Sequence, residues 1–206
     1  MGKSKKKKII LAICCAALLA ALVVIYFPRQ IFHKPVSALL ESSDGRLLGA
    51  RIASDGQWRF PQIDTVPEKF ALSIITYEDK RFRYHLGIDP LAVGRAIVLN
   101  LREREIRSGA STITMQTIRL SRENRPRTVG EKIIEMCLAV RLELRYSKTK
   151  ILAMYASNAP FGGNVVGLEA ASWRYFGRPA EELSWAESAM LAVLPNSPAL
   201  IHPGKN

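Results

Sequence analysis

Cysteine is nearly missing from this 206-residue chain: there are three, two of them adjacent inside an apolar run, with no CxxC pair and no cysteine–histidine cluster. A disulfide scaffold and a structural zinc site are therefore excluded. Acidic residues are scarce, 18 against 30 basic, for a formal charge of +12. No strand–helix–strand alternation of about 30 residues is present, so a dinucleotide-binding sheet is excluded. No internal repeat is visible. Disorder is excluded too, because 48% of the residues are hydrophobic and only 23% charged. The length suits one domain with its own core.

One long run has no charge at all, Ile9 to Phe27. Nineteen residues at a helical rise of ~1.5 Å reach across roughly 28 Å, close to the hydrocarbon thickness of a bilayer. Lys3, Lys5, Lys6, Lys7 and Lys8 precede it. Without those five lysines the balance is 25 basic against 18 acidic, or +7. The lysine cluster places the N-terminus in the cytoplasm and everything after Phe27 outside it. A cleaved secretory signal would end in a small-x-small site, and no Ala-x-Ala pattern ends this run, so an uncleaved anchor is expected. Ile13 before Cys14 argues against a lipidated cysteine. The residue at position 6 is Lys, which argues against N-myristoylation.

The chain divides into a basic tail (1–8), an anchor (9–27), a linker with short strands (28–64) and a helical domain (65–206). Ser37–Glu41 and Arg46–Arg51 flank an Asp44-Gly45 turn, the pattern of a hairpin, and Asp55-Gly56 marks a second turn. From Thr65 onward helix starts recur. Thr65-Val-Pro-Glu68, Thr128-Val-Gly-Glu131 and Ser184-Trp-Ala-Glu187 each read as a capping box. Asp89-Pro90 opens a helix to about Arg104, and Ser147 caps another. Gly177 suits a helix end. The expected fold is mainly α, with a small N-terminal β element and one transmembrane helix.

Three polar elements carry the chemistry. Glu78 and Asp79 end an apolar helix, close to Phe82 and His85. A carboxylate there is partly desolvated, which raises its proton affinity and makes it a usable general base. The second element, Gly109 to Gln116, offers a glycine, the hydroxyls of Ser111, Thr112 and Thr114, and the N–H groups of a helix start. That combination suits an oxygen-rich anion such as a diphosphate. Arg107, Arg119, Arg122, Arg125, Arg127 and Lys132 crowd around it with positive charge. The third element is Glu135, three residues after Lys132 and so on the same helical face, where a surface ion pair would be the plain outcome.

These elements, in this order, resemble the family 51 peptidoglycan glycosyltransferases, the catalytic modules of class A penicillin-binding proteins. E-D-x-x-F-x-x-H-x-G is met in full from Glu78 to Gly87, and G-x-S-T-I-T-x-Q in full from Gly109 to Gln116. R-K-x-x-E is met at Lys132 and Glu135, with Glu131 at its first position. K-x-x-I-L-E-x-Y-L-N is half met from Lys148: Ile151, Leu152 and Tyr155 match, whereas Ala153, Ala156 and Ser157 depart. The stretches Gly167–Gly177 and Glu187–Pro195 are similar as well. Ser54–Arg59 and Asn158–Gly163 look most like the penicillin-binding protein 1C branch.

The resemblance implies a lysozyme-like helical glycosyltransferase that polymerises lipid II outside the cytoplasmic membrane by inversion, releasing undecaprenyl diphosphate. It implies Glu78 as catalytic base and Glu135 as the second catalytic glutamate. Asp79, Phe82, His85, Gly109, Ser111, Thr112, Thr114, Gln116, Arg119 and Lys132 are implied as substrate-binding. Glu135 either orients the cations or holds magnesium or manganese. The implied partners are lipid II, the growing glycan, the bacterial membrane and other cell-wall synthesis proteins; nucleic acid is not one, since the domain faces away from the cytoplasm. Glu131 stands in place of an arginine, a role open to Arg125 or Arg127. A bifunctional member would continue into a transpeptidase domain, and the Ser-x-x-Lys set of such a domain is missing, so a truncated chain without penicillin-binding activity is expected. The rival readings are a lysozyme-like glycan hydrolase, a lipid II-binding scaffold and a protein that binds acidic lipids.

Overall fold

The computed structural model describes residues 30–103, 110–126 and 128–196. The expected anchor, Ile9 to Phe27, lies outside them, as do Arg107, Gly109 and Arg127. Among the described residues no helix is long and apolar enough to cross a membrane.

The chain begins with a hairpin. β1 (Ala38–Glu41) and β2 (Leu47–Arg51) pair antiparallel, with Leu39 opposite Ala50. The turn holds Gly45 at φ +80°, a conformation that glycine adopts without strain. A pairing absent from the sequence reading follows: β3 (Trp58–Arg59) runs parallel to β4 (Val165–Val166). Two-residue strands carry no readable periodicity, so only the folded chain reveals them. This bridge ties the segment before the first helix to the loop after the fifth.

Seven α-helices follow among the described residues: α1 (Glu68–Glu78), α2 (Pro90–Glu103), α3 (Ile113–Ser121), α4 (Val129–Arg145), α5 (Lys148–Asn158), α6 (Leu168–Phe176) and α7 (Trp185–Val193). Most starts obey their caps. Asp89 Oδ1 accepts the N–H groups of Leu91 and Ala92 at 3.0 and 3.1 Å. Ser147 caps α5, and Ser184 with Glu187 completes a capping box on α7. Gly177 closes α6 at φ +66°.

Two starts differ from expectation. Thr65 does not cap α1, which begins at Glu68 after an extended Pro67 with no side-chain cap. The proline steers Val66 away from helical angles, so a helix cannot be entered at Thr65. At α4, Thr128 accepts the Glu131 N–H at 3.1 Å, but only half of the box forms. The Thr128 N–H already donates to the Pro126 carbonyl, and the Glu131 carboxylate turns to Arg122 Nε at 2.7 Å. A charge-assisted bond outweighs a neutral one.

The core gathers around α3, whose Ile113, Met115 and Ile118 are buried and which packs against both α4 and α5. In α5 every residue from Ile151 to Ser157 is buried. Ala153, Ala156 and Ser157, the departures from the fourth motif, are therefore packing positions, and Ser157 Oγ accepts the Ile63 N–H at 3.2 Å. α1 packs on α7 through a layer that includes Phe70 and Ile74. The end of α1, the start of α3 and the first turns of α4 converge.

Candidate active site

Glu78 and Asp79 are adjacent, yet their side chains go to different places. At Asp79 the backbone leaves the helix, with φ −156°. The Asp79 carboxylate is buried. His85 Nε2 lies 3.0 Å from both of its oxygens, and the Ile113 N–H donates to Oδ2 at 3.0 Å. One side chain thus joins the end of α1, the following loop and the first residue of α3.

The rest of that loop is fastened to the same frame. Thr112 Oγ1 donates to the Gly87 carbonyl at 2.6 Å and accepts the Met115 N–H at 3.1 Å. Gly87 holds φ +83°, and a Cβ there would stand 2.7 Å from the Ala139 carbonyl carbon and oxygen of α4. Phe82 is buried, with Lys148 Nζ 4.5 Å from its ring centroid. Lys148 also donates to the His85 carbonyl at 2.7 Å and pairs with Glu143 at 2.6 Å. Thr114 Oγ1 donates to the same Glu143 oxygen at 2.6 Å.

Asp79, Phe82, His85, Thr112 and Thr114 therefore hold the loop and α3 in place. At the start of α3 two of the helix-start donors are already bonded, since Asp79 takes the Ile113 N–H and Thr112 takes that of Met115. An acidic residue beside a helix start competes for those donors, which the linear motif does not disclose.

Most of the other sequence-derived residues form a second set around Glu78 and Arg119. Gln116 Nε2 donates to Glu78 Oε2 at 2.8 Å. Glu78 Oε1 is buried with no hydrogen-bond partner among the described residues. Burial pushes the Glu78 carboxyl above the ordinary carboxylate range and the Asp79 charge adds to this, while the Gln116 hydrogen bond pulls it back. Arg119, one turn after Gln116 on α3, forks onto Glu135: Nε to Oε1 at 2.7 Å and Nη2 to Oε2 at 2.8 Å. That bond holds the Arg119 guanidinium above its ordinary value against the opposing effect of burial. Lys132 Nζ donates to Ser111 Oγ, and Arg119 Nη2 reaches the same oxygen at 3.5 Å. Lys132 and Glu135 share a face, but the ion partner of Glu135 is Arg119.

A divalent ion beside Glu135 does not fit this donor set. Both Glu135 oxygens lie on Arg119, and both Asp79 oxygens face His85. Among the described residues no group of three or more His, Cys, Asp or Glu side chains gathers.

Residues without an assigned role in the sequence reading also enter. Tyr155 of α5 is buried, and its hydroxyl donates to Gln116 Oε1 at 3.5 Å. Glu143 of α4 carries no motif signal, and Lys148 matches only the first position of the fourth motif. Arg122 takes the Glu131 carboxylate, so two arginine–glutamate pairs stand side by side between α3 and α4. For Tyr155 and Lys148 the available signal was the fourth motif.

Comparison with known proteins matches residues 44–206 to the transglycosylase family. The chain is 41% identical over 165 residues to penicillin-binding protein 1C of Escherichia coli (strain K12), covering 80% of the chain and 21% of that protein. It is 37% identical over 169 residues to penicillin-binding protein 1A of Aquifex aeolicus (strain VF5), covering 82% and 23%. It is likewise 37% identical over 148 residues to penicillin-binding protein 1F of Bacillus subtilis (strain 168), covering 70% and 21%. The chain thus spans about a fifth of the length of these relatives.

Proposed function

The chain belongs to the transglycosylase family, and from that premise we propose that its helical domain is a peptidoglycan glycosyltransferase that polymerises lipid II. One observation carries the proposal: Glu78, half-buried and raised in proton affinity, is hydrogen-bonded to Gln116, one helical turn from the Arg119, Ser111 and Lys132 group. A base and a cationic, hydroxyl-bearing patch then lie on adjoining parts of one helix face.

The reaction follows from that placement. The Glu78 carboxylate takes the proton of the acceptor 4-hydroxyl on the lipid II N-acetylglucosamine. The hydroxyl oxygen forms its bond to the donor C1 as the bond from C1 to the lipid diphosphate breaks, with inversion. The departing electron pair goes to the diphosphate, where Arg119, Lys132 and the Ser111 hydroxyl stabilise the charge. Glu135 orients Arg119. No step is assigned to a metal ion.

Access to lipid-linked substrates calls for a bilayer, and the Ile9–Phe27 run supplies the anchor in this reading. On the folded domain Leu91 and Val98 of α2 are exposed two turns apart, and Val129 and Ile133 of α4 one turn apart. These apolar side chains suit contact with acyl chains at the membrane surface.

A hydrolase is disfavoured. Glycosidases use a pair of carboxyl groups around the scissile bond, and the carboxylate next to Glu78 is committed to His85 and Ile113. The test is labelled lipid II presented to the membrane-anchored protein. Glycan polymer is expected, and Glu78→Gln is expected to make none while keeping its helical circular dichroism. Soluble fragments from preformed glycan would favour the hydrolase, and lipid II capture without product the scaffold.

A further inference from the structure

Gln116 lies between two oxygen-bearing side chains. Its Nε2 faces Glu78 Oε2 at 2.8 Å, and its Oε1 faces the Tyr155 hydroxyl at 3.5 Å. An amide can turn over and exchange its donor and acceptor ends, and the hydrogen-bond network decides which way it lies. An ionised carboxylate can only accept, so it needs the NH2 end. Tyr155 is 1% exposed, and no other hydrogen bond is drawn from its hydroxyl among the described residues. A buried hydroxyl takes the partner it has.

We propose that Tyr155 is a positioning residue for Glu78: by donating to Gln116 Oε1 it fixes the amide so that the NH2 end meets Glu78 Oε2, which holds in one orientation the carboxylate that receives the acceptor proton. The inference rests on the reading of Glu78 as the base. Burial and the nearby Glu78 charge both push the Tyr155 hydroxyl far above its usual value, so it keeps its proton and remains a donor. The network is therefore asymmetric. Tyr155 acts only as a donor to an amide oxygen, and Glu78 is held in the ionised form by the amide nitrogen. Without Tyr155 the amide is released to present its oxygen to a protonated Glu78 instead, and the proton affinity of Glu78 rises.

The other charged groups around this network have their own partners. Asp79, next on the chain, faces His85, Arg119 of α3 is forked onto Glu135 of α4, and Lys132 of α4 donates to Ser111. On α5, Lys148 is held by Glu143 and Lys150 by Asp64. On α7, which packs against α1, Glu187 caps its own helix. Removing one phenolic oxygen rearranges none of these pairs.

The experiment is Tyr155→Phe in the full membrane-anchored chain, with two readouts. The first is the pH profile of lipid II polymerisation. Its acid limb is expected to move to higher pH, with kcat/KM down roughly three- to tenfold at the acid end and within about twofold on the alkaline plateau. The second is titration of the Glu78 carboxyl by carbon-13 NMR, which does not depend on turnover. Its midpoint is expected to move upward. Gln116→Ala is expected to move it in the same direction, and the double variant to go no further than Gln116→Ala. Gln116→Ala with and without Tyr155→Phe also serves if the single tyrosine variant folds poorly. A loss uniform across pH, or an unmoved midpoint, overturns the proposal and leaves Tyr155 a packing residue. Absence of polymer from the unaltered chain would instead overturn the polymerase reading, and the titration would still decide the coupling.

Discussion

Arg119 and Glu135, sixteen positions apart, meet edge to edge, with two bonds of 2.7 and 2.8 Å joining guanidinium to carboxylate. Both side chains are largely buried, at 15% and 5% exposure. The fork fixes the plane of Arg119 and aims its remaining edge toward Ser111. It also occupies the carboxylate that a metal ion would need. In the proposed reaction the second glutamate therefore acts through an arginine.

Breaking this pair from one side leaves a buried charge uncompensated. Glu135→Ala is expected to lower the unfolding free energy by about 3–5 kcal/mol, read from urea unfolding. Replacing Arg119 and Glu135 together by apolar residues of similar volume is expected to recover most of that loss in stability and none of the activity. A single variant as stable as the unaltered chain would show that the pair is loosely held.

Glu78 carries a cost to stability that the proposed chemistry requires. Its folded-state proton affinity is raised, so the folded chain binds more protons than the unfolded chain between the two midpoints. Stability then falls as pH rises through that window. Glu78→Gln lacks this dependence. It is expected to melt above the unaltered chain at neutral pH, with the gap closing as pH falls below the ordinary carboxylate range. Thermal unfolding at several pH values measures it. If Glu78 is the base, polymerisation is expected to run the opposite way, rising with pH as Glu78 ionises.

Gly87 is required by space as well as by backbone angle. A Cβ would stand 2.7 Å from the Ala139 carbonyl group, at φ +83°. Gly45 has a similar φ of +80° and nothing nearby. Gly87→Ala is expected to cost about 3 kcal/mol or more, and Gly45→Ala about 1 kcal/mol, since only the first adds a steric clash to the conformational strain. Equal shifts in the two denaturation midpoints would contradict the close approach of the loop to α4.

Asp79 is expected to matter through the frame it holds. Asp79→Ala leaves the Ile113 N–H without its acceptor and removes the partner of His85 Nε2, a loss of about 2–4 kcal/mol. Hydrogen exchange at the Ile113 amide is expected to accelerate strongly, whereas the Glu131 amide, held by Thr128, is expected to exchange as before.

Much of this was readable along the chain because it depends on neighbours in sequence. The caps at Asp89, Ser147 and Ser184, the end at Gly177 and the hairpin around Gly45 all act within four residues of themselves. The first two motifs marked Glu78 and Gln116, but not that one would donate to the other. Thr65 misled because the effect of Pro67 on Val66 outweighs a matching cap spacing. Thr128 half misled because the carboxylate of Glu131 found Arg122, nine positions away.

By itself the sequence determined most of the helices, the caps at Asp89, Ser147 and Ser184 and the set of residue types that the proposed chemistry needs, since propensity, periodicity and motif spacing are local. Tertiary structure alone decided which residues of each motif are tied into the frame and which gather around Glu78 and Arg119. Asp79, Thr112 and Thr114 were drawn into the frame, while Glu78, Gln116, Arg119 and Ser111 were brought together. The physical reason is that burial drives most polar groups to find a partner, and for these side chains the partners come from elements far apart in the chain.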